Sequence, residues 1–376
     1  MKNYRKIKIG DVLDIKRGMS LAGEYYATEG KYIRLTLGNF NYPECGWKDN
    51  VAKENLYYSG SVRNEFLLKK GDIITPLTEQ VRGLLGNTAR IPKNNIYIQS
   101  GDIGLVIPDE TKINSNFAYY LISSSVVKRQ LDAGSQQTKI RHTCPEAIKD
   151  CVAFLPELSQ QGKIATILDS IENKIQNNIK INNNLQELMN TFYDYYFIKQ
   201  TQNNMSNCSK LLCKDILEVK TGKEDANFGN PNGKYKFFTC SKETINCDKP
   251  AFSGQSILIA GNGDFNVKHY NGEFNAYQRT YVLIPNDSLY YGTLYMSALK
   301  LVQKFKKSSS GSIVKFISKS DVENIEIIIP NNHDLLLSLN KYLDYIEKNE
   351  EENERLIKFC NFILPLLMNG QATIDE

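Results

Sequence analysis

Residues 158–199 contain apolar side chains that recur on a heptad grid. Steps of seven pass through Ile164, Ile171, Asn178, Leu185 and Phe192. The interleaved seam positions are Ile167 or Leu168, Ile175, Ile181, Leu188 or Met189, and Tyr195 or Tyr196. Such a seam indicates a long helix that needs a partner helix. At about 1.5 Å per residue, roughly 40 residues would span on the order of 60 Å, too long to bury inside one ordinary domain. The pattern predicts a spacer or a dimerisation rod.

The C-terminal region repeats this pattern. Its grid passes through Leu339, Ile346, Asn353, Cys360 and Leu367. Asn178 and Asn353 are each the middle one of five grid positions, so full antiparallel overlap would bring the two amides together. A buried Asn in an apolar seam costs stability but fixes register, because slipping the helices would leave an amide unpaired. The alternative, that both amides lie on solvated helix edges, stays open.

The regions before the two seams resemble each other. The segment IGDVLDIKRG (9–18) aligns with CKDILEVKTG (213–222), residues 116–140 resemble 292–317, and CVAFLPEL (151–158) parallels IEIIIPNN (325–332). Within these two regions, short apolar or alternating runs are broken by Gly, Pro and Asn, a pattern typical of strands. The sequence therefore predicts an α+β chain with a pseudo-two-fold internal repeat. Its parts are strand-rich domains at 1–157 and 201–330, each followed by a long helix, at 158–200 and 331–376, and the two helices are expected to pair antiparallel as a coiled coil.

Composition narrows the class of protein. The hydrophobic fraction of 41% and aromatic fraction of 10% indicate a globular chain. The sequence has no run of 18 apolar residues and no apolar leader near its start, so we expect a cytoplasmic protein. The eight cysteines lack a C-x-x-C pair, so free thiols are expected and no metal site is predicted.

Positive charge is concentrated in the two predicted domains. The whole chain has a net charge of +4, but residues 1–157 carry a surplus of five positive charges and residues 201–330 a surplus of four. This distribution favours a polyanionic ligand. Arg and Lys can bind guanine O6 and N7, Asn and Gln can bind adenine N6 and N7, and Gly or Ser amides can approach phosphates.

Clusters of such side chains are the candidate DNA-binding residues. For each residue alone a solvated surface position is the simpler explanation, and the clusters as groups carry the prediction. In the first domain they are Arg17, Arg34, Thr78, Gln80, Arg82, Gln136, Gln137, Lys139 and Arg141. In the second domain they are Lys220, Lys223, Asn262, Asn266, Lys268, Tyr270, Arg279, Ser310, Ser312 and Lys315.

The sequence contains no clear catalytic motif. A magnesium-dependent nuclease needs two carboxylates followed by x-Lys, and two triplets approximate this pattern: Asp11, Asp14 and Lys16, and Asp215, Glu218 and Lys220. Within each triplet the carboxylates lie only three residues apart, which leaves no room for a second strand. The alternative hypothesis is a single-chain magnesium-dependent nuclease or DNA modification enzyme with duplicated sites.

Two motifs carry a family resemblance. A Leu-Pro turn precedes the pattern Q-x-K-I-A-x-I-L-x-x-I-x-x-K-I (161–175), and the loops GSQQTKI (134–140) and SGSIVKFI (310–317) correspond to each other. In these motifs and in its layout, the whole chain resembles the specificity subunit of type I restriction-modification systems. Residues 331–339, NNHDLLLSL, lack the usual P-x-x-E-Q-x-x-I entry, so the start of the second helix is not fixed.

The resemblance implies a non-catalytic subunit that acts in DNA methylation and phage defence. Each domain would be a target recognition domain that reads half of a bipartite sequence in double-stranded DNA. The paired helices would fix the gap between the half-sites and dock two adenine methyltransferase subunits, to which restriction subunits can add. S-adenosylmethionine, Mg²⁺ and ATP would belong to these partners, and this chain would hold no cofactor.

Overall fold

The computed structural model describes residues 4–42, 44–51, 53–134, 141–199, 208–308 and 316–374. The chain forms two compact units: Met1–Lys174 with Arg355–Glu376 is unit 1, and Ile175–Glu354 is unit 2. Both boundaries between the units fall inside long helices. No helix in the described ranges is both long and apolar enough to cross a bilayer.

The strands of unit 1 are β1 (Arg5–Lys8), β2 (Leu13–Arg17), β3 (Tyr26–Ala27), β4 (Tyr32–Arg34), β5 (Tyr57–Tyr58), β6 (Ile73–Pro76), β7 (Thr78–Glu79), β8 (Ala89–Arg90), β9 (Tyr97–Ile98), β10 (Ile103–Pro108), β11 (Arg141–His142) and β12 (Val152–Leu155). Those of unit 2 are β13 (Cys208–Leu212), β14 (Lys220–Thr221), β15 (Tyr235–Phe238), β16 (Ile245–Cys247), β17 (Phe252–Ala260), β18 (Val267–Ala276), β19 (Thr280–Leu283) and β20 (Glu326–Pro330).

The helices are α1 (Ser115–Ser123), α2 (Ser125–Gly134), α3 (Pro145–Lys149), α4 (Leu158–Tyr193), α5 (Cys213–Ile216), α6 (Tyr291–Ser308), α7 (Lys319–Glu323) and α8 (Asp334–Met368). Helix α4 continues as a wider π-helical turn over Asp194–Lys199. Single 3₁₀ turns occupy Ile9–Asp11, Gly23–Tyr25, Leu37–Asn39, Asn64–Phe66, Ala226–Phe228 and Ser288–Tyr290.

Each unit contains the same antiparallel sheet. In unit 1 its strand order is β2-β10-β6-β8, and in unit 2 the order β14-β19-β17-β18 is extended by β15 and β16. Beside it, β1 pairs with β12 in unit 1, and β13 pairs with β20 in unit 2. The small sheet β3-β5-β4-β9 has no counterpart in the described part of unit 2. The predicted α+β fold class is therefore confirmed, with the internal repeat visible at the level of strand order.

Helices cover the shared sheet of each unit. In unit 1 these are α1 and α2, and in unit 2 it is α6. Helix α1 starts where the Asn114 side chain accepts a hydrogen bond from the Phe117 amide at 3.0 Å, which satisfies one of the free N–H groups of the first turn. Phe117 is fully buried against the sheet residues of unit 1, and burying such a ring contributes roughly 2–3 kcal/mol. Leu294 and Met296 of α6 are buried in the same way in unit 2.

In each unit, part of α4 packs against part of α8. In unit 1 the core includes Ile164 and Leu168 from α4 together with Leu367 and Met368 from α8. In unit 2 the core includes Met189 from α4, and Leu339, Leu343 and Ile346 from α8. The Asn178 side chain contacts Asn353, and the Asn182 side chain contacts Asn349. Because one residue number falls as the other rises, these segments of α4 and α8 run antiparallel.

Candidate nucleic-acid interface

In the first domain, a loop is clamped between two short strands. Strand β7 pairs with β11, so that Glu79 lies opposite Arg141. The Glu79 carboxylate accepts hydrogen bonds from the backbone amides of Gly83 at 3.0 Å and Leu85 at 2.9 Å. The loop after β7 is thereby wrapped around one buried carboxylate. Gln80 is exposed at its start.

Four charged side chains are linked at this loop. Arg141 Nη1 lies 2.9 Å from Glu79 Oε1 and 2.7 Å from Asp132 Oδ1. Arg82 donates to both oxygens of Asp132, at 3.1 Å and 2.7 Å. The hydrogen bonds from Arg82 and then Arg141 hold the pKa of Asp132 well below its ordinary value. Asp132 therefore stays ionised near neutral pH.

The second domain places a loop at the corresponding point of its sheet. Here β17 and β18 form a hairpin whose tip is residues 261–266. The Ile317 amide donates to the Gly261 carbonyl at 2.9 Å, and the Tyr281 hydroxyl donates to the Ile317 carbonyl at 2.8 Å. The chain that follows α6 therefore lies beside the hairpin tip, as the chain that follows α2 lies beside β7 in the first domain.

The predicted polar residues of this hairpin differ in how far their side chains are engaged within the domain. The Asn266 amide donates to the carbonyls of Cys240 at 2.9 Å and Asp264 at 2.7 Å. Lys268 donates to the carbonyls of Thr239 and Ser241, and burial lowers the pKa of Lys268 to about 8. Two groups are left more available to a ligand, since Asn262 is half-buried and Arg279 is exposed.

Tyr270 packs against Phe238 and Phe274 and is half-buried on β18. It also lines a cavity of about 460 Å³ within unit 2, together with Lys268 and the acidic residue Glu351 of α8. Because both basic and acidic side chains line this cavity, it does not indicate one class of ligand.

Two other predicted residues are buried within the first domain. The Arg34 guanidinium donates to the Asn55 carbonyl at 3.2 and 3.1 Å and stacks 3.8 Å from the centre of the Tyr26 ring. Thr78 is buried in β7 and pairs with His142. Both side chains are buried, so neither is presented to a ligand at the surface.

Three basic candidates lie on the first strand of the shared sheet of each unit or just after it. Arg17 is the last residue of β2. Its side chain is exposed and donates to the Thr143 carbonyl at 3.3 Å. Lys220 on β14 is exposed, with Glu218 at 3.6 Å, and Lys223 is exposed after that strand. Six further candidates lie outside the described residues: Gln136, Gln137, Lys139, Ser310, Ser312 and Lys315.

The carboxylates of the nuclease alternative have local structural partners. Asp11 accepts from the Lys8 amide at 2.9 Å, and Asp215 accepts from the Leu212 amide at 2.8 Å, each closing a turn. Asp14 pairs with Lys149 at 3.1 Å. Within the part of the chain that the structure describes, no group of three His, Cys, Asp or Glu side chains is arranged to hold a metal ion. The alternative finds no support in this geometry.

The helix-pairing candidates differ in how far they are buried. Ile164 and Leu367 are buried in unit 1, and Leu339 and Ile346 are buried in unit 2. The others on the grid are partly exposed, namely Ile171, Leu185, Phe192 and Asn353.

The central amide of the first seam is buried. Asn178 is 1% exposed and donates to Asn353 Oδ1 at 2.9 Å and Glu352 Oε2 at 2.8 Å. Of the two alternatives for this amide, the structure has the paired arrangement.

The interleaved seam positions of α4 are covered only in part. Met189 is buried and Tyr196 is half-buried in unit 2, whereas three other positions are exposed. Ile181, Leu188 and Tyr195 are 47%, 46% and 53% exposed. They are seven residues apart and form an apolar stripe that α8 does not cover. A single partner helix cannot bury more than one face of α4, so the wide apolar face leaves this stripe exposed.

Sequence reasoning missed the two acids that hold the first loop, Glu79 and Asp132. The DNA-binding candidates were side chains that can contact phosphates or base edges, and no acidic residue was among them. Asp132 also lies 50 residues from its partner Arg82. No local pattern connects residues so far apart.

Comparison with known proteins adds a family. The profile described as "Type I restriction modification DNA specificity domain" matches residues 1–187 and 205–356. The type I restriction enzyme EcoDI specificity subunit of Escherichia coli is 33% identical over 166 residues, which cover 42% of this chain and 37% of that subunit. The chain thus spans little more than a third of that relative's length.

Two further matches extend over the whole chain. The type I restriction enzyme MjaIX specificity subunit of Methanocaldococcus jannaschii is 22% identical to this chain. The alignment covers 100% of this chain and 94% of that subunit. The crystal structure of a type I restriction-modification S subunit from M. genitalium has a TM-score of 0.62 at 16% identity, covering 100% of this chain and 97% of that one. This last likeness concerns the fold.

Proposed function

Since the chain belongs to the type I restriction modification DNA specificity family, we propose that it is the non-catalytic subunit that gives a type I restriction-modification complex its DNA sequence specificity. The observation that carries the proposal is the recurrence of one loop arrangement at the same point of the same sheet in both units. Loops on a rigid sheet are where recognition residues concentrate. Each domain would read one half of a bipartite target.

The two half-sites would differ in sequence. The first loop presents Gln80 and Arg82, and the second presents Asn262 with Arg279 nearby. Guanidinium groups favour guanine, and amides favour adenine. Different donors at corresponding places would therefore select different bases.

The exposed stripe on α4 is suited to a partner helix. Ile181, Leu188 and Tyr195 repeat at the heptad spacing of a coiled-coil seam. Phe359 and Phe362 of α8 are also exposed. Exposed apolar surface on a long helix favours burial by another protein. We assign these residues to the docking of two methyltransferase subunits, with restriction subunits as further partners.

Cofactors would follow the partners. S-adenosylmethionine, Mg²⁺ and ATP would be bound by the methyltransferase and restriction subunits. The role of this chain would be to place those subunits on a chosen sequence.

A binding and methylation experiment tests the function. The full chain, co-expressed with the methyltransferase subunit of its host, should bind DNA with an affinity that falls steeply as salt rises, because phosphate contacts release counterions. Mapping methylated adenines in the host genome should give one bipartite sequence, which disappears when this chain is deleted. Turnover of S-adenosylmethionine by the isolated chain, or unchanged methylation after deletion, would contradict the proposal.

The docking assignment has its own test. Leu188→Asp should reduce co-purification of the methyltransferase subunit, because a carboxylate would have to be buried against an apolar surface. Asn183→Asp, at an exposed position on a different face of the same helix, is the matched control and should leave co-purification unchanged. Equal behaviour of the two variants would place the docking surface elsewhere.

A further inference from the structure

One side of the Arg82 guanidinium is occupied and the other is open. Nε donates to Asp132 Oδ1 at 3.1 Å, and Nη2 donates to Oδ2 at 2.7 Å. The side chain is 78% exposed. No acceptor for Nη1 is found among the described residues. The Nη1 and Nη2 edge is therefore available to a ligand, while the Nε edge fixes its direction.

The group that fixes Arg82 is itself held in place. Asp132 also accepts from Arg141, whose second partner, Glu79, is only 2% exposed. Glu79 in turn binds backbone amides of the loop that carries Arg82. The Tyr42 hydroxyl donates to the Arg82 carbonyl at 2.6 Å. Both the backbone and the guanidinium of Arg82 are thereby constrained.

Stability does not account for this arrangement of Arg82. An exposed ion pair contributes little to folding because solvent screens it and both side chains lose rotamer freedom. Orientation is a better explanation, since a pre-oriented guanidinium loses less freedom when it binds. A phosphate and the edge of a guanine can each accept two hydrogen bonds from an oriented guanidinium, and only the base contact would carry a sequence preference.

We propose that Arg82 reads a guanine in the half-site of the first domain and that Asp132 is the residue that positions it. The open Nη1 and Nη2 donors match the O6 and N7 acceptors that guanine presents in the major groove. Lysine can also bind guanine, but it offers no planar pair of donors and would lose the orientation that Asp132 gives to Arg82. The inference rests on the proposed function and adds the residue and the base.

Selection from a randomised DNA library tests it, using the full chain assembled with its methyltransferase subunit. Arg82→Lys should lower the preference for guanine at one position of one half-site by about tenfold or more. Asp132→Asn should lower the preference at that same position to a smaller extent. The other half-site should be unchanged in both variants. The control is Arg63→Lys, which alters another exposed Arg of the same unit, paired with Glu65 at 3.0 Å, and should keep every preference.

A change in the DNA gives a readout that does not depend on folding of a variant. Replacing the selected guanine with 7-deazaguanine removes N7 and should weaken binding of the unsubstituted protein about as much as Arg82→Lys does on normal DNA. It should have little further effect on the Arg82→Lys protein.

Three results would overturn the inference. Equal weakening on all sequences by Arg82→Lys would indicate a phosphate contact, and unchanged base preferences would remove Arg82 from readout. In both cases the proposed function would stand. Absence of any sequence-selective binding by the unsubstituted complex would remove the proposed function and this inference together.

Discussion

The buried amide of Asn178 shows how one residue can fix the pairing of two helices. It donates to Asn353 and Glu352 on α8, and a second amide pair, Asn182 with Asn349, lies one helical turn away. A donor without an acceptor in such a place costs the desolvation of the amide. Any shift of register would impose that cost, so the pair selects one alignment of the helices.

We expect Asn178→Leu to lower the free energy of unfolding by about 1–3 kcal/mol, because it leaves the side-chain oxygen Oδ1 of Asn353 without its donor. The double variant Asn178→Leu with Asn353→Leu should recover part of the loss. Chemical denaturation measures both. Asn184→Leu on an exposed position of α4 is the control and should change little. Strictly additive losses in the double variant would show that the two amides are not coupled.

Lys268 makes the stability of unit 2 dependent on pH. Burial lowers its folded-state pKa to about 8, below the unfolded value of about 10.4. Between these two values the unfolded chain binds a proton that the folded chain does not, so stability rises with pH. The penalty on the charged form is present in full below pH 8 and is relieved above it.

We therefore expect the difference in unfolding free energy between the unsubstituted chain and Lys268→Met to change with pH. The unsubstituted chain should gain relative to the variant between about pH 8 and 10.4, as its Lys268 loses the proton. Urea denaturation across this range measures the difference and cancels the groups that both proteins share. A difference that stays flat would mean that the folded-state pKa of Lys268 is close to its ordinary value.

At the residue scale, sequence reasoning identified side-chain chemistry but not its surroundings. Gln80 and Arg82 lie on one loop and could be grouped from their spacing. Arg34 and Thr78 carry equally suitable groups, yet the sheet turns them inward. The direction of a strand side chain depends on which strand lies beside it, and a sequence of short strands does not specify that neighbour.

At the scale of elements, the shared sheet is closed by the same backbone contact in both units. Gly18 follows β2, and a Cβ on it would lie 2.3 Å from the Ser100 carbonyl oxygen. Gly222 follows β14, and a Cβ on it would lie 1.9 Å from the Ala276 carbonyl oxygen. These are the final glycines of the two aligned segments in the sequence. The repeat was detectable because the same close approach requires glycine twice.

We expect Gly18→Ala and Gly222→Ala each to destabilise its own unit by about 1–3 kcal/mol, because backbone must move to admit the methyl group. Gly162→Ala in α4 is the opposing control, since nothing lies within 4 Å of its added Cβ. It should stabilise by up to about 1 kcal/mol through helix propensity. Thermal unfolding compares the three. Similar melting temperatures for all of them would refute the close-approach explanation.

The long helices were predictable for a different reason. A heptad pattern extends over many residues and reports a helix however the rest of the chain folds. It does not report which of two adjacent apolar residues faces the partner helix. Met189 and Tyr196 pack in the core of unit 2, whereas Leu188 and Tyr195 beside them are exposed. The pairing of the small sheet β3-β5-β4-β9 was not predicted, because its strands are only two or three residues long and carry too little pattern to indicate their neighbours.

At the scale of the whole molecule, unit 1 is completed by the far end of the chain. Leu367 and Met368 are nearly fully buried in its core. The Tyr4 hydroxyl donates to the Leu367 carbonyl at 2.8 Å, across 363 residues of sequence. The repeat alone suggests that each domain owns the helix that follows it. In the structure, the last turns of α8 belong to the first unit instead.

We therefore expect removal of residues 355–376 to destabilise unit 1 and to spare unit 2. Losing a buried Leu or Met side chain costs about 2–5 kcal/mol, so losing two approaches the typical stability of a domain, about 5–15 kcal/mol. Hydrogen exchange read by mass spectrometry should show faster exchange in peptides from residues 5–155 and unchanged exchange in those from 213–346. Leu367→Ala should give a weaker form of this pattern, and Phe362→Ala, at an exposed position of α8, should give none. Equal loss of protection in both units, or in neither, would show that the end of α8 does not belong to the core of unit 1.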